Sequence, residues 1–262
     1  MSARWLLGGL IAASIGAQAL AQQPEDLHLP GPARSGASYL TPQTRAQQED
    51  AFANPGMLWV EQGETMWNAR DGMSQQSCAG CHGDASSMRG VSARYPAYDV
   101  GQKHVVNLEQ RINLCRVNNQ KASPWPYESR ELLSMTAFVG RQSLGVPVAV
   151  KTDGEARASF LRGKAMYEQR IGQLDLNCAA CHERSAGKHL RAEEISQGQI
   201  NGFPIYRQLW QTMGSTHRMF AWCNTAVRAE PLPAGSQEYV DLELYVRARG
   251  IGLPVETPAI RR

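Results

Sequence analysis

Residues 78–82 read Cys-Ala-Gly-Cys-His and residues 178–182 read Cys-Ala-Ala-Cys-His. Two thiols three positions apart on one turn can each form a thioether with a vinyl group of the same porphyrin, and the His that follows offers an imidazole to its iron. A dithiol redox pair or half of a zinc site needs only the cysteines and does not account for the adjacent His, which occurs twice. The expected cofactors are therefore two covalently bound haem c groups. Cys78 and Cys81 tether one and Cys178 and Cys181 the other, with His82 and His182 as iron ligands.

The two pentapeptides belong to a longer repeat. Residues 63–82 align without a gap on 163–182, and eight of the twenty pairs are identical, among them Gly63/Gly163, Met66/Met166, Arg70/Arg170 and Gly72/Gly172. A second match pairs Phe138-Val139 with Tyr245-Val246 and residues 145–148 with 252–255. Self-similarity of this kind implies two copies of one domain in tandem.

Subtracting the four tethering thiols from six cysteines leaves Cys115 and Cys223, one in each copy, both between the attachment turn and the last helix of the copy. A second axial ligand belongs there, usually Met or His. The candidates of that kind are Met88, His104 and Met135 in the first copy, and His189, Met213, His217 and Met219 in the second. None occupies matching places. A Cys shortly after an Arg does, as Arg111 with Cys115 and Arg218 with Cys223, which favours a thiolate ligand. A Cys115–Cys223 disulfide and two buried free thiols are the competing readings. Thiolate sulfur stabilises ferric iron relative to Met, so such haems have low potentials.

The elements that must position these groups are helical. Apolar spacing predicts helices over 64–70 and 160–170 before the attachment turns, with Gly72 and Gly172 as stops, and closing helices over 128–142 and 237–249. Little in the sequence supports strands. The fold class is mainly α: two tandem cytochrome c-like domains related by internal duplication, with an extended N-terminal arm. The expected boundaries are a signal peptide at 1–21, the arm at 22–50, the first domain at 51–149 and the second at 150–262, with a linker over 148–155. Arg4, the apolar run 5–15 and Ala19-Leu20-Ala21 form the signal, which places the mature chain outside the cytoplasm, in a periplasm. The 262 residues are 42% hydrophobic and 19% charged with a net charge of +3, which excludes disorder and gives no footprint for nucleic acid. Past the N-terminus no apolar run reaches the roughly 18 residues of a membrane span.

With a later Cys in each haem domain, the run Cys223-Asn-Thr-Ala-Val-Arg-Ala-Glu-Pro231, and the ending from Leu242 through Tyr245 to Gly252-Leu-Pro-Val-Glu-Thr-Pro258, the chain resembles the SoxA family, the dihaem subunits of the thiosulfate-oxidising cytochrome SoxAX. The resemblance implies His82/Cys115 and His182/Cys223 as ligand pairs and a heterodimer with a SoxX-like monohaem cytochrome c. It also implies L-cysteine S-thiosulfotransferase activity, in which thiosulfate is joined oxidatively to a cysteine of a SoxYZ-like carrier. Cys223, as thiolate or persulfide, is the implied catalytic residue. Some members of the family lack the first haem, whereas this chain retains Cys78, Cys81, His82 and Cys115.

The repeat itself points to the second copy. Arg249 and Arg247 stand where the first copy has Gln142 and Gly140, and Arg218 and Arg228 flank Cys223. A small dianion needs fixed guanidinium donors, so Arg218 and Arg249 are the expected substrate contacts. One departure bears on this assignment: the resemblance implies an Arg four residues before the catalytic Cys, and Met219 stands there. A carrier-independent thiosulfate dehydrogenase and a non-catalytic electron-transfer cytochrome are the alternative functions.

Overall fold

The computed structural model describes residues 24, 27–190 and 193–262, so the expected signal segment lies outside the described residues. From the N-terminus run α1 (Pro42–Glu49), α2 (Met57–Asn68), α3 (Cys78–His82), β1 (Ala97–Asp99), β2 (His104–Val106), α4 (Leu108–Cys115) and α5 (Arg130–Arg141). There follow α6 (Arg157–Glu168), α7 (Cys178–His182), β3 (His189–Leu190), β4 (Glu193–Glu194), β5 (Ile205–Arg207), β6 (Thr212–Gly214), α8 (Thr216–Ala226), α9 (Gln237–Ala248) and β7 (Ala259–Arg261). Helix dominates, as expected, but strands are also present.

In each half the helix before the attachment turn crosses the closing helix at a glycine. A Cβ on Gly63 would overlap the Ser134 carbonyl and Phe138, and a Cβ on Gly163 would overlap the Asp241 carbonyl and Tyr245. Around the crossings the repeat-matched aromatics meet: Trp67 and Phe138 have ring centroids 5.7 Å apart, Tyr167 and Tyr245 5.1 Å. The closing helices start alike, because Ser129 Oγ accepts from Leu132 N and Ser236 Oγ from Tyr239 N, each satisfying a donor that the first turn leaves free.

Two expected helix limits are corrected. α2 and α6 begin earlier than predicted and end at Asn68 and Glu168, before the glycines. Gly72 and Gly172 lie instead in tight turns with φ +66° and +69°, pressed against the carbonyls of Gln120 and Val227. No residue with a Cβ fits there, so the glycines are fixed by close backbone approach rather than by a helix end.

The expected linker is also not free. Val148 is buried, and 145–148 pair antiparallel with 252–255 through Val148 N to Leu253 O, Gly252 N to Val148 O, Gly145 N to Val255 O and Val255 N to Val146 O, all 2.9 Å. The two segments matched in sequence are thus hydrogen-bonded to each other. The arm is irregular only up to Ser35. A 3-10 turn over Gly36–Tyr39 and then α1 follow, where Thr41 caps the helix and Pro42 pre-sets its first turn. The arm packs on the second half: Arg34 N donates to Gln197 Oε1 at 2.8 Å and Arg261 Nη1 to Gln48 Oε1 at 2.8 Å. The strands that the sequence did not announce are two or three residues long, too short to show alternation. The largest sheet has the order β6-β5-β7, with β7 parallel to β5.

Between the halves lies a buried polar seam. Asn107 Nδ2 donates to Glu243 Oε2 at 3.0 Å, His217 Nε2 lies 3.1 Å from the same oxygen, and His217 Nδ1 accepts from Gly235 N at 2.9 Å. His217, a candidate iron ligand by sequence, is thereby committed to the seam. Glu109, also buried, is pushed up to about 8 from an ordinary 4.5, first by burial and then by the neighbouring charges of Glu243 and Glu128, against Arg247.

Two predictions follow from this packing. Gly163→Ala forces α6 and α9 apart and lowers stability by about 1–3 kcal/mol in chemical denaturation. For Glu109 the folded state holds a proton that the unfolded state releases, so stability declines as pH rises from 4.5 to about 8. Glu109→Gln flattens that slope, which is measured as the denaturation midpoint against pH.

Candidate functional site

The first attachment turn hangs from Ser77, whose Oγ accepts from Gly80 N at 2.9 Å. Cys78, Cys81, His82 and Cys115 all line one cavity of about 660 Å³, walled by Trp67, Tyr95, Leu108, Ile112, Trp125 and Met135. That volume is in the range of cofactor pockets. Among the described residues no three His, Cys, Asp or Glu side chains converge tightly enough to hold a bare ion. Residues so arranged suit a flat group that spans them, and the donor set fits haem c. Met88 and Met135 line the same cavity.

Cations ring this cavity. Arg116 lies 3.6 Å above the Trp125 ring and donates to Asp71 Oδ2 at 2.9 Å, which holds the Asp71 carboxyl below its usual range. Arg111, four residues before Cys115 and on the same helix face, pairs with Asp99 at 3.1 Å. Burial pushes the Cys78 thiol up to about 11.

The second turn is capped by Asn177, whose Oδ1 accepts from Ala180 N at 2.8 Å. His182 Nδ1 lies 2.9 Å from the carbonyl of Ser196, and Gly198 packs against the ring, where a Cβ would strike it. A ring nitrogen donating to a backbone carbonyl fixes the tautomer and leaves Nε2 as the lone-pair donor, which is how ligand histidines are commonly held. Burial lowers the His182 pKa and keeps the imidazole neutral. Burial also pushes the Cys178 and Cys223 thiols up to about 12 and about 11, and each lies within the field of another cysteine of this half. Neighbouring Trp222 is 46% exposed, so α8 presents this end to solvent. All six cysteines are unpaired, which removes the Cys115–Cys223 disulfide reading.

The arginines fall differently from expectation. Arg249 is fully buried. Its Nη1 donates to Glu183 Oε1 at 2.5 Å and to the His28 carbonyl at 2.7 Å, and its guanidinium covers Tyr167. It braces the segment behind His182 and faces no solvent. The reason is that Arg249 caps the end of α9, which the crossing with α6 buries. Arg247 is likewise buried on the carbonyls of Ile200 and Ser92. Arg218 lies over the Trp210 ring at 4.5 Å, with Nη1 3.4 Å from the Met213 carbonyl and 3.9 Å from Glu128. Arg228 is exposed and reaches Gln173.

The cation that does act on Cys223 is Arg207 at the end of β5, the first charged group whose field favours the thiolate there. Sequence reasoning missed it. It stands before Cys223 on a three-residue strand with no pattern, and the pairing of β5 with β6 and β7 brings it alongside α8.

Arg249→Gln leaves Glu183 as a buried carboxylate without its partner. The expected loss is about 3–5 kcal/mol in denaturant unfolding, with Glu183→Gln in the same chain recovering part of it.

Residues 62–148 match the family model described as "SoxA/TsdA, cytochrome c domain". The chain is 45% identical over 230 residues, 87% of its own length and 80% of the relative's, to the L-cysteine S-thiosulfotransferase subunit SoxA of Pseudaminobacter salicylatoxidans. It is 41% identical over 229 residues, with the same coverage, to that of Rhodovulum sulfidophilum. Its structure is similar to a chain in the crystal structure of SoxXA from P. pantotrophus, with a TM-score of 0.85 and 39% identity over 88% of this chain and 87% of that one.

Proposed function

The chain belongs to the SoxA family, and on that premise we propose that it is the dihaem cytochrome subunit of a periplasmic L-cysteine S-thiosulfotransferase. Its catalytic centre is Cys223, and its first 21 residues are an export signal. It comprises two tandem cytochrome c domains related by duplication, 51–149 and 150–262. Cys78 and Cys81 tether one haem c, with His82 and Cys115 as ligands, and Cys178 and Cys181 tether the other, with His182 and Cys223. The observation that supports this reading is the surroundings of Cys223: next to exposed Trp222 and within the fields of Cys178 and Arg207.

Haem, when bound, supplies one-electron redox steps. The protein's own residues hold the substrate and the reacting sulfur. Thiosulfate docks at the arginines beside α8 with its sulfane sulfur toward Cys223. An S–S bond forms between the two, with loss of two electrons that leave singly to a SoxX-like monohaem cytochrome partner. The thiolate of a SoxYZ-like carrier then attacks the sulfane sulfur, takes the thiosulfate group and releases Cys223 as thiolate, by ordinary thiol–disulfide exchange. The sum is one carrier thiol plus one thiosulfate giving one S-thiosulfonate, one proton and two electrons. Glu183, Arg249 and the Ser196 carbonyl keep His182 in place throughout.

Cys223→Ala is expected to keep both covalent haems, counted by the alkaline pyridine spectrum, while carrier conjugation falls by roughly a thousandfold or more. Full conjugation in that variant sinks the assignment. Tetrathionate formation by the wild-type complex in the absence of carrier would instead mark a thiosulfate dehydrogenase.

A further inference from the structure

The geometry points to Arg207, held by the Arg262 carbonyl and stacked on Trp222, as the guanidinium that binds the sulfonate of thiosulfate beside Cys223. This deepens the proposed function and rests on Cys223 being its reacting group.

Met219 and Cys223 are four residues apart on α8 and therefore share a face. Arg207 Nη1 lies 3.3 Å from Met219 Sδ, and its guanidinium carbon is 4.8 Å from the Trp222 ring centre and 5.1 Å from that of Trp210. A group touching the side chain one turn before Cys223 and the ring next to it in sequence must flank the thiol. The guanidinium is also fixed. Its Nε donates to the Arg262 carbonyl at 2.9 Å, Gln208 N donates to the Arg261 carbonyl at 2.7 Å, and β7 pairs Arg207 with Arg261 in register. A cation so restrained loses little freedom on binding an anion, which is the condition for tight recognition by a planar fork.

Arg207 is itself buried, 8% exposed, but unlike Arg249 and Arg247 it has capacity left for a ligand. Among the described residues no Asp or Glu side chain is ion-paired with it, and the anionic groups whose fields reach it are Glu193 and Cys223. Its Nη1 rests on a thioether, a weak acceptor that an anionic oxygen displaces. Three other arginines weighed for this role are committed elsewhere, Arg249 to Glu183, Arg247 to two buried carbonyls and Arg218 to Met213 with Glu128 close by, while exposed Arg228 reaches away to Gln173. Where the family resemblance implies an Arg, this chain has Met219, and a guanidinium from β5 lies against that very side chain.

The test compares wild type, Arg207→Gln, Arg207→Lys and Arg218→Gln as haem-loaded complexes with the partner cytochrome. Two quantities are read: thiosulfate KM and kcat for carrier conjugation, and the calorimetric Kd of thiosulfate for the oxidised complex without carrier. For Arg207→Gln we expect KM and Kd to rise roughly 10- to 100-fold, the loss of a charge-assisted pair, with a smaller change in kcat and an unchanged ferric spectrum. Arg207→Lys restores part of the affinity. An unchanged KM and Kd in Arg207→Gln, or a rise confined to Arg218→Gln, overturns the proposal. Should Arg207→Gln fail to fold, Arg207→Lys decides: lost affinity supports the assignment and wild-type affinity overturns it. A wild-type complex that conjugates no thiosulfate overturns the function itself, a result distinct from either.

Discussion

The close crossing of two helices at a residue without a side chain governs the layout of each half. At Gly63 and Gly163 the entering helix touches the backbone of the closing helix, so the axes can approach until the flanking aromatics interlock. That contact fixes where the entering helix ends and hence where the Cys-x-x-Cys-His turn projects. The turn after it is fixed again at Gly72 and Gly172, each pressed on a carbonyl of the segment that follows α4 or α8. The helices just before those segments, α4 and α8, carry Cys115 and Cys223. In each half the spacing between the Cys-x-x-Cys-His turn and the remaining thiol is thus set by two backbone contacts at positions where any Cβ would intrude.

On this shared frame the two halves have diverged in what surrounds the reactive groups. In the first, the cysteines face a cavity ringed by Arg111 and Arg116, whose charges are answered by Asp99 and Asp71. His82 is exposed. In the second, His182 is held by Ser196, Gly198 and the Glu183–Arg249 pair, and the N-terminal arm closes over that pair through the His28 carbonyl. The cation beside Cys223, Arg207, has no Asp or Glu ion-pair partner among the described residues. A neutralised cation holds structure; an unneutralised one next to a thiol attracts an anion. This difference, more than the number of arginines, separates the two sites chemically.

The halves are also tied to each other in ways that make them one unit. Residues 145–148 and 252–255, matched in sequence, pair in antiparallel fashion, and the seam of Asn107, Glu109, His217 and Glu243 joins the halves as well. A buried carboxylic acid kept protonated beside a second carboxylate costs stability and is tolerated only where surrounding hydrogen bonds hold it. Tyr127, stacked on His217 and bonded to Asn107 Oδ1 at 2.9 Å, is one such support.

By itself the sequence determined what is local or repeated. The Cys-x-x-Cys-His pentapeptides, the helices around them and the pairing of Cys115 with Cys223 as matching positions are legible because cysteine spacing, helical periodicity and the internal sequence match are written along the chain. The tertiary structure decided everything that depends on distant segments meeting. Gly72 and Gly172 proved to be contact points rather than helix stops, because the carbonyls they touch are nearly fifty residues or more away. Val148 at the start of the expected linker became part of a paired ladder, and Arg249 became a buried brace because α6 covers the end of α9. Arg207 came to the thiol because two three-residue strands, too short to leave a pattern, align it beside α8. An arginine looks the same in sequence whether its charge is answered or free, and only the fold settles which carboxylate is near enough to answer it.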